Sequence, residues 1–128
     1  MQLSAAPVTV MLPVIDLARA RDFYEHSLGL SAGEAQADGK YSYHCGATTL
    51  ALFPKDGGTR AEHTALSFEV HDIHRCVTEL AARGVVFEDY NLPGLLTVDH
   101  ICELGAERAA WFKDTEGNIL CLHEEHGP

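Results

Sequence analysis

The run Val14-Ile15-Asp16-Leu17-Ala18-Arg19-Ala20-Arg21-Asp22-Phe23-Tyr24-Glu25-His26-Ser27-Leu28-Gly29-Leu30 decides the fold. Asp16 stands at a helix N-cap position, where a short carboxylate accepts from the free N–H groups of the first turn. Leu17, Ala20, Phe23, Tyr24 and Leu28 then recur at helical spacing and make one apolar face. Gly29 follows as a stop, because glycine tolerates the left-handed conformation that closes many helices. Upstream, Val8-Thr9-Val10-Met11-Leu12 is rich in strand formers. The spacing predicts a strand feeding a helix over 17–28.

The same pattern returns at an offset of 56 residues. Val14 falls on Val70, Asp16 on Asp72, Leu17 on Ile73, Arg19 on Arg75 and Ala20 on Cys76. Residues 65–70 alternate as a strand, and Ile73, Cys76, Val77, Leu80 and Ala81 share a helical face that Gly84 ends. Strand-rich segments follow each helix: 41–45 and 49–53 after the first, then 85–88, 109–112 and 119–122 after the second. Asp114-Thr115-Glu116-Gly117-Asn118 joins the last two as a turn, and Asn91-Leu92-Pro93-Gly94-Leu95 reads as another.

The chain therefore reads as one domain over 1–128 of fold class α+β. It has two βαβββ modules, the first over about 7–54 and the second over about 63–124, with a polar, Gly-rich linker over about 55–62. One such unit has an open sheet face and little core. Two can share a core and leave a cleft between their sheets.

Composition narrows the function classes. Nineteen acids against nine bases give a net charge of −10, with no Lys/Arg cluster, so nucleic acid is not an expected partner. No apolar run approaches the roughly 20 residues of a spanning helix, and MQLSAAPVTV has no basic patch followed by an apolar stretch. A cytoplasmic protein without membrane partners is expected. Cys45, Cys76, Cys102 and Cys121 show no Cys-x-x-Cys spacing, which fits reduced, mostly buried thiols. A nucleophile elbow and a phosphate-binding glycine loop are both missing from the sequence.

Two stretches at opposite ends carry a family resemblance: Val14-Ile15-Asp16-Leu17 running into Phe23–Leu30, and Trp111-Phe112-Lys113-Asp114 with Gly117-Asn118-Ile119-Leu120. In this order they resemble the vicinal-oxygen-chelate superfamily, which includes glyoxalase I, extradiol dioxygenases and the bleomycin-resistance proteins. The resemblance spans about Val8 to Glu124 and implies a glyoxalase/bleomycin-resistance/dioxygenase fold and a homodimer. In its metal-dependent members one His, Glu or Gln comes from each of four strands. Those positions fall here on Thr9, Ala51, Ala65 and Cys121. None is His, Glu or Gln. In another register His63 takes the place of Ala65, so any metal would have to use His63 and Cys121.

The expectation is a protein that binds a small aromatic or cationic molecule in its cleft, sequesters it as a drug-resistance protein does, and has no catalytic residue and no cofactor. The alternative is a metal-dependent lyase, isomerase or dioxygenase with an altered ligand set. Strand alternation predicts that Thr9, Met11, Ala51, Phe53, His63, Ala65, Ser67, Cys121 and His123 face the cleft. Trp111, the one tryptophan, can stack there on a flat ligand.

Overall fold

A computed structural model describes residues 2–125; Met1 and residues 126–128 of the expected domain lie outside the described residues. Module one runs β1 (Thr9–Val14), α1 (Leu17–Asp22), β2 (Glu34–Ala35), β3 (Tyr41–Cys45) and β4 (Thr48–Pro54). Module two runs β5 (Thr64–Glu69), α2 (Ile73–Ala82), β6 (Asn91–Leu92), β7 (Leu95–Val98), β8 (Ile101–Leu104), β9 (Glu107–Lys113) and β10 (Ile119–Glu125). The repeat is visible in the topology. The sheet orders are β1-β4-β3-β2 and β5-β10-β9-β8-β7-β6, and each module's first strand pairs parallel with its last. The fold is α+β, with few helices on two mixed sheets.

Both helices begin as the sequence dictates. The Asp16 carboxylate accepts from the Arg19 N–H at 3.0 Å, and Asp72 accepts from the Arg75 N–H at 3.1 Å. The first helix differs from the expected 17–28 in its second half. From Phe23 to Ser27 it widens into a π turn, with the Leu28 N–H donating to the Phe23 carbonyl at 2.9 Å. This turn sets two successive aromatics against module two. Phe23 packs 6.4 Å from Phe112, and the Tyr24 hydroxyl donates to Asp114 at 2.6 Å.

Two expectations need correction. Residues 85–88 do not form a full strand, although Val85 and Phe87 are buried while Val86 is exposed. The β8–β9 hairpin already occupies residues 107–109 along that edge of β9. Only a bridge between Phe87 and Phe112 and one Glu88 N–H to Trp111 carbonyl bond remain. Residues 91–95 are not a bare turn. They carry β6 and the start of β7, paired through Leu92 and Leu95 about a Pro93-Gly94 corner.

The core is common to both modules. Leu12, Val14, Leu50 and Leu52 of the first join Phe112, Leu120 and Leu122 of the second around buried Tyr24 and Tyr43. The 114–118 turn locks them together. Buried Glu116 accepts from the Ile15 and Asp16 N–H groups at 2.8 and 2.9 Å and from Arg19 Nε at 2.8 Å. Asn118 Nδ2 donates to the Pro13 carbonyl. In module two, Glu124 of β10 accepts from the Ile73 N–H at the start of α2.

Candidate functional site

Strand pleating puts the core on one face of each sheet and the expected site residues on the other. In module one Met11 pairs with Ala51 and Pro13 with Phe53. This leaves Thr9, Met11, Ala51 and Phe53 on the face away from Leu12, Val14, Leu50 and Leu52. Thr9 and Met11 are exposed, Phe53 is half-buried and Ala51 is buried. In module two Trp111, Cys121 and Ser67 stand in one row across three strands. His123 follows in the next row, opposite Glu69 and Ala109.

The structure thus brings Ser67, Trp111, Cys121 and His123 together on one sheet. It places Thr9, Met11, Ala51 and Phe53 on the other sheet. Ala65 sits at a register irregularity of β5, between Thr64, which faces Ile119, and Leu66, which faces Leu120. His63 is exposed and precedes Thr64, upstream of the row that contains Cys121.

The row has a defined chemistry. Trp111 Nε1 donates to Thr64 Oγ1 at 3.2 Å, and the indole meets Tyr90 edge-on at 5.6 Å between ring centroids. Burial pushes the Cys121 thiol up, which disfavours the free thiolate that a nucleophile needs. Ser67 Oγ lies 2.5 Å from His123 Nδ1. On the other side of the ring, His123 Nε2 lies 3.7 Å from a Glu69 oxygen. Between the modules a cavity of about 590 Å³ is lined by Val10, Leu50, Leu66 and Phe68, with Ser67 and Glu69 on its wall.

Glu69 and Glu125 were not among the residues expected from sequence, whereas Tyr90 was one of the aromatics available to line the cleft. Glu69 and Glu125 could have been found by stepping two residues on from Ser67 and His123 along the same strand faces. Tyr90 lies between strands, where no periodicity marks it.

The model of the Glyoxalase/Bleomycin resistance protein/Dioxygenase superfamily matches residues 6–122. The chain belongs to this superfamily. Among solved structures, it is similar to lactoylglutathione lyase from Agrobacterium tumefaciens, with 19% identity, a TM-score of 0.71 and 96% of each chain covered. It is also similar to TnmS3, an antibiotic binding protein from Streptomyces sp. CB03234, with 22% identity, a TM-score of 0.69, and 98% and 99% of the two chains covered. A glyoxalase family protein from Bacillus anthracis shares 20% identity at a TM-score of 0.71 over 92% of this chain and 91% of that one. At such identities the likeness concerns the fold. No curated protein matches the sequence.

The superfamily's metal-dependent members set a test for this chain, and its residues do not fit. By the resemblance, the four ligand positions fall on Thr9, Ala51, Ala65 and Cys121. Two are alanines without a donor atom, and the third has only a hydroxyl. The fourth, a single buried thiol, is one ligand where zinc needs three or four.

Proposed function

We propose that this superfamily member binds a small aromatic or cationic molecule on its concave surfaces and acts by sequestering it, as a cytoplasmic drug-binding protein. The supporting observation is the row Trp111, Cys121, Ser67. An indole braced by Thr64 and Tyr90 stands beside small side chains where a metal ligand and its ion would otherwise take the space. A flat ligand gains stacking on such a ring. Glu69, Glu107 and Glu125 add negative charge on the same face, which suits a cation. The likeness to an antibiotic binding protein agrees with this reading.

The binding unit is a homodimer. Met11 is 48% exposed on the face of its sheet away from the core, and among the described residues β1 and β5 each leave an outer edge unpaired. A second copy covers such edges and apolar surface. Sedimentation of the untagged chain should give twice the chain mass.

The test is a titration of Trp111 fluorescence with cationic and aromatic antibiotics in buffer containing a chelator. Saturable quenching with a Kd of about 10 μM or lower is expected for at least one compound. By calorimetry, Trp111→Ala should weaken that compound at least about tenfold, roughly the worth of one stacked ring. Recovery of the compound chemically changed would replace sequestration with turnover.

A further inference from the structure

We propose that Glu69, His123 and Glu125 form a binding site for a divalent cation of the zinc class. One ligand atom from each of the three lies within 4.8 Å of the others. The sheet itself makes this cluster. His123 is the register partner of Glu69 across the parallel β5–β10 pair, and Glu125 follows two residues later on β10, on the same face. The group owes nothing to a loop conformation.

The imidazole is oriented as a ligand's would be. Ser67 engages Nδ1 at 2.5 Å, which leaves Nε2 turned toward Glu69 at 3.7 Å. Fixing one ring nitrogen with a neighbouring polar group and presenting the other is how metal-bound histidines are held.

Charge supports the same assignment. Two carboxylates converge on one point, and Glu107 stands opposite Glu125 on the same face. Among the described residues, neither Glu69 nor Glu125 forms an ion pair with Lys or Arg. The one partner of that kind is the His123 ring, facing Glu69. Glu124, on the opposite face of the same strand, makes the contrast. It takes an Arg108 ion pair at 2.9 Å and the Ile73 N–H at 3.1 Å. The carboxylate that serves the fold is neutralised, and those on the concave face are left to repel one another. A divalent ion between them removes that repulsion.

The donor set names the class of ion. One imidazole with two carboxylates suits zinc, manganese, cobalt or nickel, whereas an imidazole is a poor ligand for calcium. Bonds of about 2.1 Å place ligand atoms roughly 3 to 4 Å apart. Glu69 and Glu125 have exposed side chains, free to rotate toward that spacing. Three protein ligands leave an open position for water on the concave face. The site is distinct from the superfamily's four positions; it shares Glu69 and Glu125 with the ligand-binding reading above, but metal binding is read without any organic ligand.

The experiment is calorimetric titration of zinc, and separately nickel, into the untagged full chain with no organic ligand present. One saturable site per chain is expected, with a melting temperature that rises on adding metal. His123→Ala and Glu125→Gln should each abolish the site. Ser67→Ala should weaken it about 10–100-fold, as loss of an orienting partner does. His63→Ala should leave it unchanged. Melting curves in chelator show whether each variant is folded, and Glu125→Gln, at an exposed position, keeps the test valid if His123→Ala is not. No saturable site, a site that survives both His123→Ala and Glu125→Gln, or a site lost in Cys121→Ser would overturn the proposal. Failure of the antibiotic titration would leave these outcomes untouched.

Discussion

At the scale of the residue, Glu116 has the largest task in the molecule. Burial alone would push its carboxyl up. Bonds from Arg19, the Asp16 N–H, Thr115 and the Ile15 N–H outweigh that cost and bring it down to about 2 from an ordinary 4.5. The folded state therefore binds this proton more weakly than the unfolded chain does. The resulting stability is complete above about pH 4.5 and is lost as pH falls toward 2. The size is about 2–3 kcal/mol, after allowing for an Arg19 side chain that is half exposed. Urea titrations of the parent protein should show that slope between pH 4.5 and 2, and Glu116→Gln should lose it together with stability at pH 7. The sequence showed Glu116 only as one residue of a turn. Its partners Ile15, Asp16 and Arg19 lie about a hundred positions away, and no local pattern reports such a contact. His123 is the opposite case. Its face was legible from strand alternation, while its bond to Ser67 needed the pairing register of β5 and β10.

At the scale of the element, what was local was legible. Asp16 and Asp72 cap their helices at matching distances, because capping involves a residue and the N–H three positions on. Asp72→Ala should cost about 1 kcal/mol in chemical denaturation. Residues 85–88 misled because alternating burial is needed for a strand but does not suffice; a partner edge must also be free, and β9 had given most of its edge to β8. The widened turn at Phe23 was equally invisible, since the contacts it makes, Phe23 with Phe112 and Tyr24 with Asp114, reach about ninety residues along the chain. Gly33 shows how close neighbouring elements come. A β-carbon there would lie 1.8 Å from the Ser42 carbonyl oxygen, at the point where β2 joins β3. Gly33→Ala should therefore displace the edge strand and lower stability by about 2 kcal/mol, read from the melting temperature.

At the scale of the whole molecule, the repeat made the strand–helix order of both modules legible, but neither the β7–β8 hairpin nor the way the modules are joined. That depends on side chains crossing from one to the other, such as Asn118 to the Pro13 carbonyl and Tyr24 to Asp114. With a single core built from both modules, far-ultraviolet ellipticity and Trp111 fluorescence should report the same urea midpoint. Separate midpoints would mean that each module melts alone. The shared core also bears on the exposed stretch around Arg60, between the modules. If a protease cuts the backbone there, the two pieces remain held by an interior, with the carboxylate of one piece closing the first helix of the other. They should copurify as a nicked protein. Expressed as separate halves, they should recognise each other as the two parts of a split reporter do, each supplying the face its counterpart lacks.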